Sequence, residues 1–149
     1  MRVKAMFVLI AIASGISATQ VACAADLLGT LKSQDAIDGC SWSASAASIG
    51  EGFIFLAEYD QSRVLMNIAG SDVTLKRDPA LARGKLARVG SQLSEVYISP
   101  GIRVEALFEV TSACRASDAE CEDTQFRVTF KVQRGADSQT VRGTGDVGC

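Results

Sequence analysis

Histidine is missing from this 149-residue chain. Its absence excludes the Ser-His-Asp and Cys-His arrangements of nucleophilic catalysis and most catalytic zinc sites. The five cysteines include no C-x-x-C pair, which argues against a tuned redox thiolate and against a structural zinc site. Positive charge is not in excess, with 15 Lys and Arg against 17 Asp and Glu, so nothing supplies the clustered basic face that nucleic acid requires. No apolar run beyond the N-terminus is long enough to span a bilayer as a helix. A phosphate-cradling glycine loop is also lacking. Gly143-x-Gly145-x-x-Gly148 spells the dinucleotide string but sits at the C-terminus with no helix to follow, and it reads as a terminal glycine-rich loop. No internal repeat and no linker divides the chain.

What is present begins with a leader. Residues 1–24 read as a signal peptide: Arg2 and Lys4 supply charge, Phe7–Ala13 is a short apolar run, and Ala22-Cys23-Ala24 offers small residues for cleavage before Ala25. A cut before Asp26 is the neighbouring choice. An ordinary cleaved signal is favoured over lipidation at Cys23, because Gln20 stands where lipidation signals usually carry leucine. Residues 25–149 then form one domain, periplasmic or secreted. The leader holds two of the basic residues and none of the acidic ones, so the mature chain carries 13 against 17, a net charge of −4.

Cleavage leaves Cys40, Cys114, Cys121 and Cys149, an even number in an exported domain, where disulfides are the default. Of the three possible pairings, Cys40–Cys149 with Cys114–Cys121 is preferred. The first would anchor the C-terminus and the second would close one loop. The chain-entropy model assigns nearly 5 kcal/mol to the long loop and about 2.5 kcal/mol to the short one.

Period-two alternation dominates the rest. Met66, Ile68, Val73 and Leu75 share one face of a hairpin over Arg63–Arg77, with Asn67 and Thr74 on the other face. A II′ turn with Gly70-Ser71 at its tip would pair Ala69 with Asp72 and Ile68 with Val73. Phe53–Tyr59 is a strand, apolar at first on both faces and so covered on both. Residues 25–39 form an irregular lead-in, Cys40–Ala47 a strand that buries Trp42, and Asp78–Gly84 one capped helical turn. Lys85–Gly90 is a weak strand candidate. Leu93–Ser99 leads through a type II turn at Pro100-Gly101 into Ile102–Val110, whose Ile102, Val104, Ala106, Phe108 and Val110 face inward. Residues 112–123 form an acidic loop. Thr124–Gln133 repeats the alternation with Phe126, Val128, Phe130 and Val132 inward, and Ser138–Arg142 is a last short strand. Phe53, Phe55, Phe108, Phe126 and Phe130 should dominate the core. The fold class is all-β, an antiparallel meander of seven to nine strands forming a small barrel or a two-sheet sandwich.

Candidates for chemistry are few. Glu105 and Glu109 share the outer face of one strand, but four residues separate them by about 13 Å, as on a solvated face. Asp118, Glu120, Glu122 and Asp123 lack the ordered spacing of a calcium loop. Tyr97 and Arg103 flank the Pro100-Gly101 turn and offer a small contact patch. No catalytic, cofactor or metal site emerges, and no cofactor is implied.

Met66–Lys76 together with the closing Gly-x-Gly-x-x-Gly-Cys resembles a group of small exported bacterial β-proteins that have no assigned function. Ala69–Leu75 also resembles the strand-turn-strand of the periplasmic C-type lysozyme inhibitors, which are small disulfide-containing β-barrels. The inhibitory Ser-Gly-x-x-Tyr segment of those proteins corresponds here to Ser94-Glu95-Val96-Tyr97, without the glycine. The reading that follows is a non-enzymatic binding or interaction module, with an envelope or extracellular protein as the kind of partner. Inhibition of a cell-wall hydrolase is the alternative, implied by the second resemblance.

Overall fold

A computed structural model describes residues 26–114 and 123–149. The expected signal peptide, residues 1–24, lies outside them, as do Asp118, Glu120, Cys121 and Glu122. Ten strands and no helix occur among the described residues: β1 Leu28–Gly29, β2 Ser41–Ser45, β3 Phe53–Glu58, β4 Val64–Ile68, β5 Ser71–Arg77, β6 Arg83–Gly84, β7 Gln92–Ser99, β8 Ile102–Ser112, β9 Thr124–Arg134 and β10 Asp137–Gly148. Eight of them, β2 to β5 and β7 to β10, each pair antiparallel with the next, and β10 pairs back onto β2. The sheet is therefore a closed meander barrel, not a sandwich. Closure leaves those strands no long free edges and puts alternate side chains in the lumen.

The two short strands complete the wall where barrel strands stop. β3 pairs with β4 only as far as Phe55↔Met66, and β1 takes over with Leu28↔Ile68. β5 pairs with β7 only at Lys76↔Ile98 and Arg77↔Tyr97, and β6 continues the wall with Arg83↔Ser94 and Gly84↔Leu93.

The lumen is filled by aromatic rings. Phe108 packs edge-on against Phe126 with centroids 5.0 Å apart, Phe55 lies 5.3 Å from Phe130 and 5.7 Å from Tyr97, and Trp42 lies 5.4 Å from Phe108. Each such contact adds about 0.5–1.5 kcal/mol beyond area burial. Phe53 is not part of this core. It is 36% exposed, because the register slips between Ala44 and Ser45 and Phe53 falls at the strand end. The rest of β3 is covered on both faces, as its composition implies: Ile54, Phe55, Leu56 and Ala57 are all buried.

Several local expectations need correction. The β4–β5 hairpin turns on Ala69-Gly70, with φ of 52° and 80°, and pairs Ile68 with Ser71 and Asn67 with Asp72. The faces are as expected; the tip is one residue earlier. A left-handed alanine costs about 1–2 kcal/mol. That cost is set against an Asn67–Asp72 side-chain bond of 2.8 Å and a bond from the Ala69 N–H to the Leu27 carbonyl.

The C-terminal glycines are not a loop. They lie in β10, which pairs with both β9 and β2. A Cβ on Gly145 would sit 1.9 Å from the Ser43 carbonyl and 2.9 Å from the Phe126 ring, so glycine here permits close strand approach. Asp78–Ala82 is a turn capped by Asp78, not a helix, and Lys85–Gly90 holds no strand.

The lead-in is more ordered than its composition suggests. Leu27, Leu28 and Leu31 are buried, and residues 27–33 seal one end of the barrel. Leu28 N–H donates to Gln139, Leu31 N–H to the Phe53 carbonyl, and Lys32 and Ser33 N–H to the Asp72 carboxylate. Burial raises the pKa of Asp72, but the donated bonds from Lys32, Ser33 and Asn67 outweigh it and hold the carboxyl below its usual range. The chain then runs outside the barrel, where the Arg63 guanidinium bonds the Ala36 carbonyl. At the opposite end, Cys40 and Cys149 form the expected disulfide and tie the start of β2 to the end of β10.

Candidate functional site

The end that carries the disulfide is open. A pocket of about 620 Å³ lies there, bordered by the β3–β4 turn, the 78–91 connection, the first residues of β7 and β9, and the end of β10. Its size is within the ordinary range for small-molecule sites. Trp42, Leu86, Leu93 and Val147 form its apolar surface, and Gln61, Arg77, Lys85, Glu95, Tyr59 and Asp60 its polar surface.

Strand parity explains why two charges face inward here. Along β7, Leu93, Glu95 and Tyr97 point into the lumen while Ser94, Val96 and Ile98 point out. Along β5, Val73, Leu75 and Arg77 share the inward face. Glu95 is fully buried, and its carboxylate accepts two bonds from Arg77, Nε to Oε2 at 2.8 Å and Nη2 to Oε1 at 2.7 Å. The bidentate fork fixes both side chains and compensates the buried charge. The Glu95 bonds make the Arg77 guanidinium still harder to deprotonate, against a smaller opposing effect of burial. The pair also bridges the seam where only two residues of β5 meet β7.

Gln61 is the second unusual residue. It sits in the five-residue connection between β3 and β4 with a left-handed backbone, φ 58°. The loop is held by its own bonds: Ser62 N–H to the Asp60 carboxylate at 2.9 Å, Gln61 N–H to the Glu58 carbonyl at 2.7 Å, and Ser62 hydroxyl to Glu58. The Ser62 N–H holds Asp60 below the usual carboxylate range. This geometry turns the Gln61 side chain back over the lumen, where it is 6% exposed. Its Oε1 accepts the Tyr97 hydroxyl at 3.1 Å. Burial, with the nearby Glu95 charge, pushes the Tyr97 phenol far above its ordinary pKa, so the hydroxyl stays a donor. Trp42 is positioned from the other wall by its indole N–H, which donates to the Tyr59 carbonyl at 3.0 Å.

The residues singled out from sequence are not brought together. Tyr97 is buried in the lumen, while Arg103 is on the outer surface paired with Glu105 at 3.1 Å, so they form no common patch. Glu109 pairs separately with Arg127 at 2.6 Å, and this partner lowers its pKa. Neither glutamate faces a cleft with the other. Of the acidic residues of that loop only Asp123 is described, and no metal-binding cluster occurs among the described residues. The expected Cys114–Cys121 pairing falls partly outside them; the Cys114 sulfur lies 3.4 Å from the Asp123 carbonyl oxygen. Among the described residues no helix is long and apolar enough to cross a membrane.

Sequence reasoning missed Gln61, Arg77 and Glu95. A readable signal existed for two of them, since each is a charge at inward parity in an otherwise apolar strand face. Gln61 carried none, because its role depends on loop geometry. No family model, curated protein or solved structure matches the chain.

Proposed function

We propose that this protein is a non-enzymatic binding module of the periplasm or the extracellular space, and that its binding end is the open mouth of the barrel. The observation that carries the reading is the asymmetry of the lumen. One end is sealed by the buried leucines of the lead-in, and the other keeps a 620 Å³ pocket whose polar groups are held in fixed positions. A rigid wall with a preorganised, half-apolar cavity suits capture better than turnover. Glu95, the one buried acid among the described residues, is locked in two bonds to Arg77, which suits structure rather than proton transfer. The Cys40–Cys149 disulfide supports an oxidising compartment.

Trp42, the single tryptophan, borders the pocket and supplies the assay. Envelope extracts and a small-molecule library should contain compounds that change its emission saturably. Leu86→Arg, which places a long side chain in the mouth, should abolish the response. Binding that persists undiminished in Leu86→Arg would place the site elsewhere and overturn the reading.

A further inference from the structure

The chemistry of the pocket's unused hydrogen-bonding groups narrows its ligand. Glu95 has both oxygens committed to Arg77. Gln61 has its oxygen committed to Tyr97, and its amide nitrogen bonds no acceptor among the described residues. That nitrogen is not sealed from solvent, since no fully buried side-chain polar atom is left without a partner. It therefore faces accessible space, and Gln61 borders the pocket. Arg77 likewise keeps Nη1 free of any bond to the described residues, with the side chain about one-third exposed. The free capacity of the inner site is thus donor capacity.

Charge points the same way. Among the described lining residues, Arg77 and Glu95 neutralise each other, and the remaining cation, Lys85, is matched in number by one anion, Asp60. A fixed ionic ligand gains little from a site with no net charge and loses its own hydration. The strained backbone at Gln61 is a further sign, because strain of this kind persists where the surroundings hold a residue in place for a task.

We infer that the pocket takes an uncharged molecule with an apolar body and a carbonyl-type oxygen, the body lying against Trp42, Leu86 and Leu93 and the oxygen accepting from Gln61 Nε2 and Arg77 Nη1. The inference rests on the reading that this mouth is a binding site, and it adds the class of ligand.

Two dyes of similar ring size test it on the oxidised, leader-free chain. Prodan is an uncharged naphthalene ketone; anilinonaphthalene sulfonate is an anion. Prodan should bind once per chain with loss of Trp42 emission, at an affinity unchanged between low and high salt. The sulfonate should bind at least about tenfold more weakly, and Gln61→Glu, which replaces the donor by an acceptor, should weaken prodan about tenfold. Should that variant fail to fold, the naphthalene amine lacking the ketone serves instead, with the same loss expected for the wild-type protein. Equal or tighter binding of the sulfonate, or no dependence on Gln61 or on the ketone, overturns the ligand class and leaves the pocket standing. No binding of either dye to the wild-type protein removes the pocket reading itself.

Discussion

The two ends of the barrel are built from the same strands and treated in opposite ways. At one end three leucines are buried under backbone hydrogen bonds, and three of the four strand connections, β4–β5, β7–β8 and β9–β10, are two-residue turns. At the other, the connections are long, the inward positions hold Arg77 and Glu95, and a disulfide ties the start of β2 to the end of β10. The contrast shows how a small barrel can keep a cavity. Core burial runs through the barrel as far as Trp42, Leu93, Val110 and Phe126, and beyond it the open end is held by the Cys40–Cys149 bond and the Arg77–Glu95 pair.

Breaking the covalent link should have the largest effect. Cys40→Ser with Cys149→Ser should cost nearly 5 kcal/mol by the chain-entropy model, read as a fall in the urea midpoint relative to the oxidised wild-type protein. At the sealed end, Leu28→Ala should cost about 3 kcal/mol in the same assay, because the leucine is 1% exposed and its neighbours cannot close around the gap. Returning to the open end, Arg77→Ala should cost about 2 kcal/mol, below the usual range for breaking a buried pair because Arg77 itself is partly solvated. The pH response should be smaller, and at the sealed end it should come from Asp72. Asp72 has a depressed pKa in the fold, so its stabilisation is complete above the ordinary carboxylate range and is lost as pH falls through the folded-state value. The protection factors of the Lys32 and Ser33 amides, taken against intrinsic exchange at each pH, should fall on acidification in the wild-type protein, and Asp72→Asn should flatten that dependence.

Much of the architecture was legible because strands announce themselves by period two. β8 and β9 carry their inward residues without interruption, and the even cysteine count anticipated the bond between residues 40 and 149. Other features were hidden for identifiable reasons. The glycines of β10 look like loop residues until the nearness of the Ser43 carbonyl explains them. The Ala69 turn depends on bonds to Asp72 and Leu27 from elsewhere in the chain, so a local turn rule chose Gly70-Ser71 instead. The pocket was illegible because its lining comes from separate segments that only barrel closure unites. The inward parity of Glu95 and Arg77 was available, but outside a closed barrel it reads as an ordinary break in a pattern.

Acrylamide quenching of Trp42 tests the asymmetry most directly. Quencher should reach the indole through the open mouth, so Leu86→Arg should sharply lower the quenching constant and Leu28→Ala, under conditions where it stays folded, should leave it unchanged. An unaltered constant in Leu86→Arg, or a rise in Leu28→Ala, would mean that the ring is reached from the other end and that the account of one sealed and one open mouth is wrong.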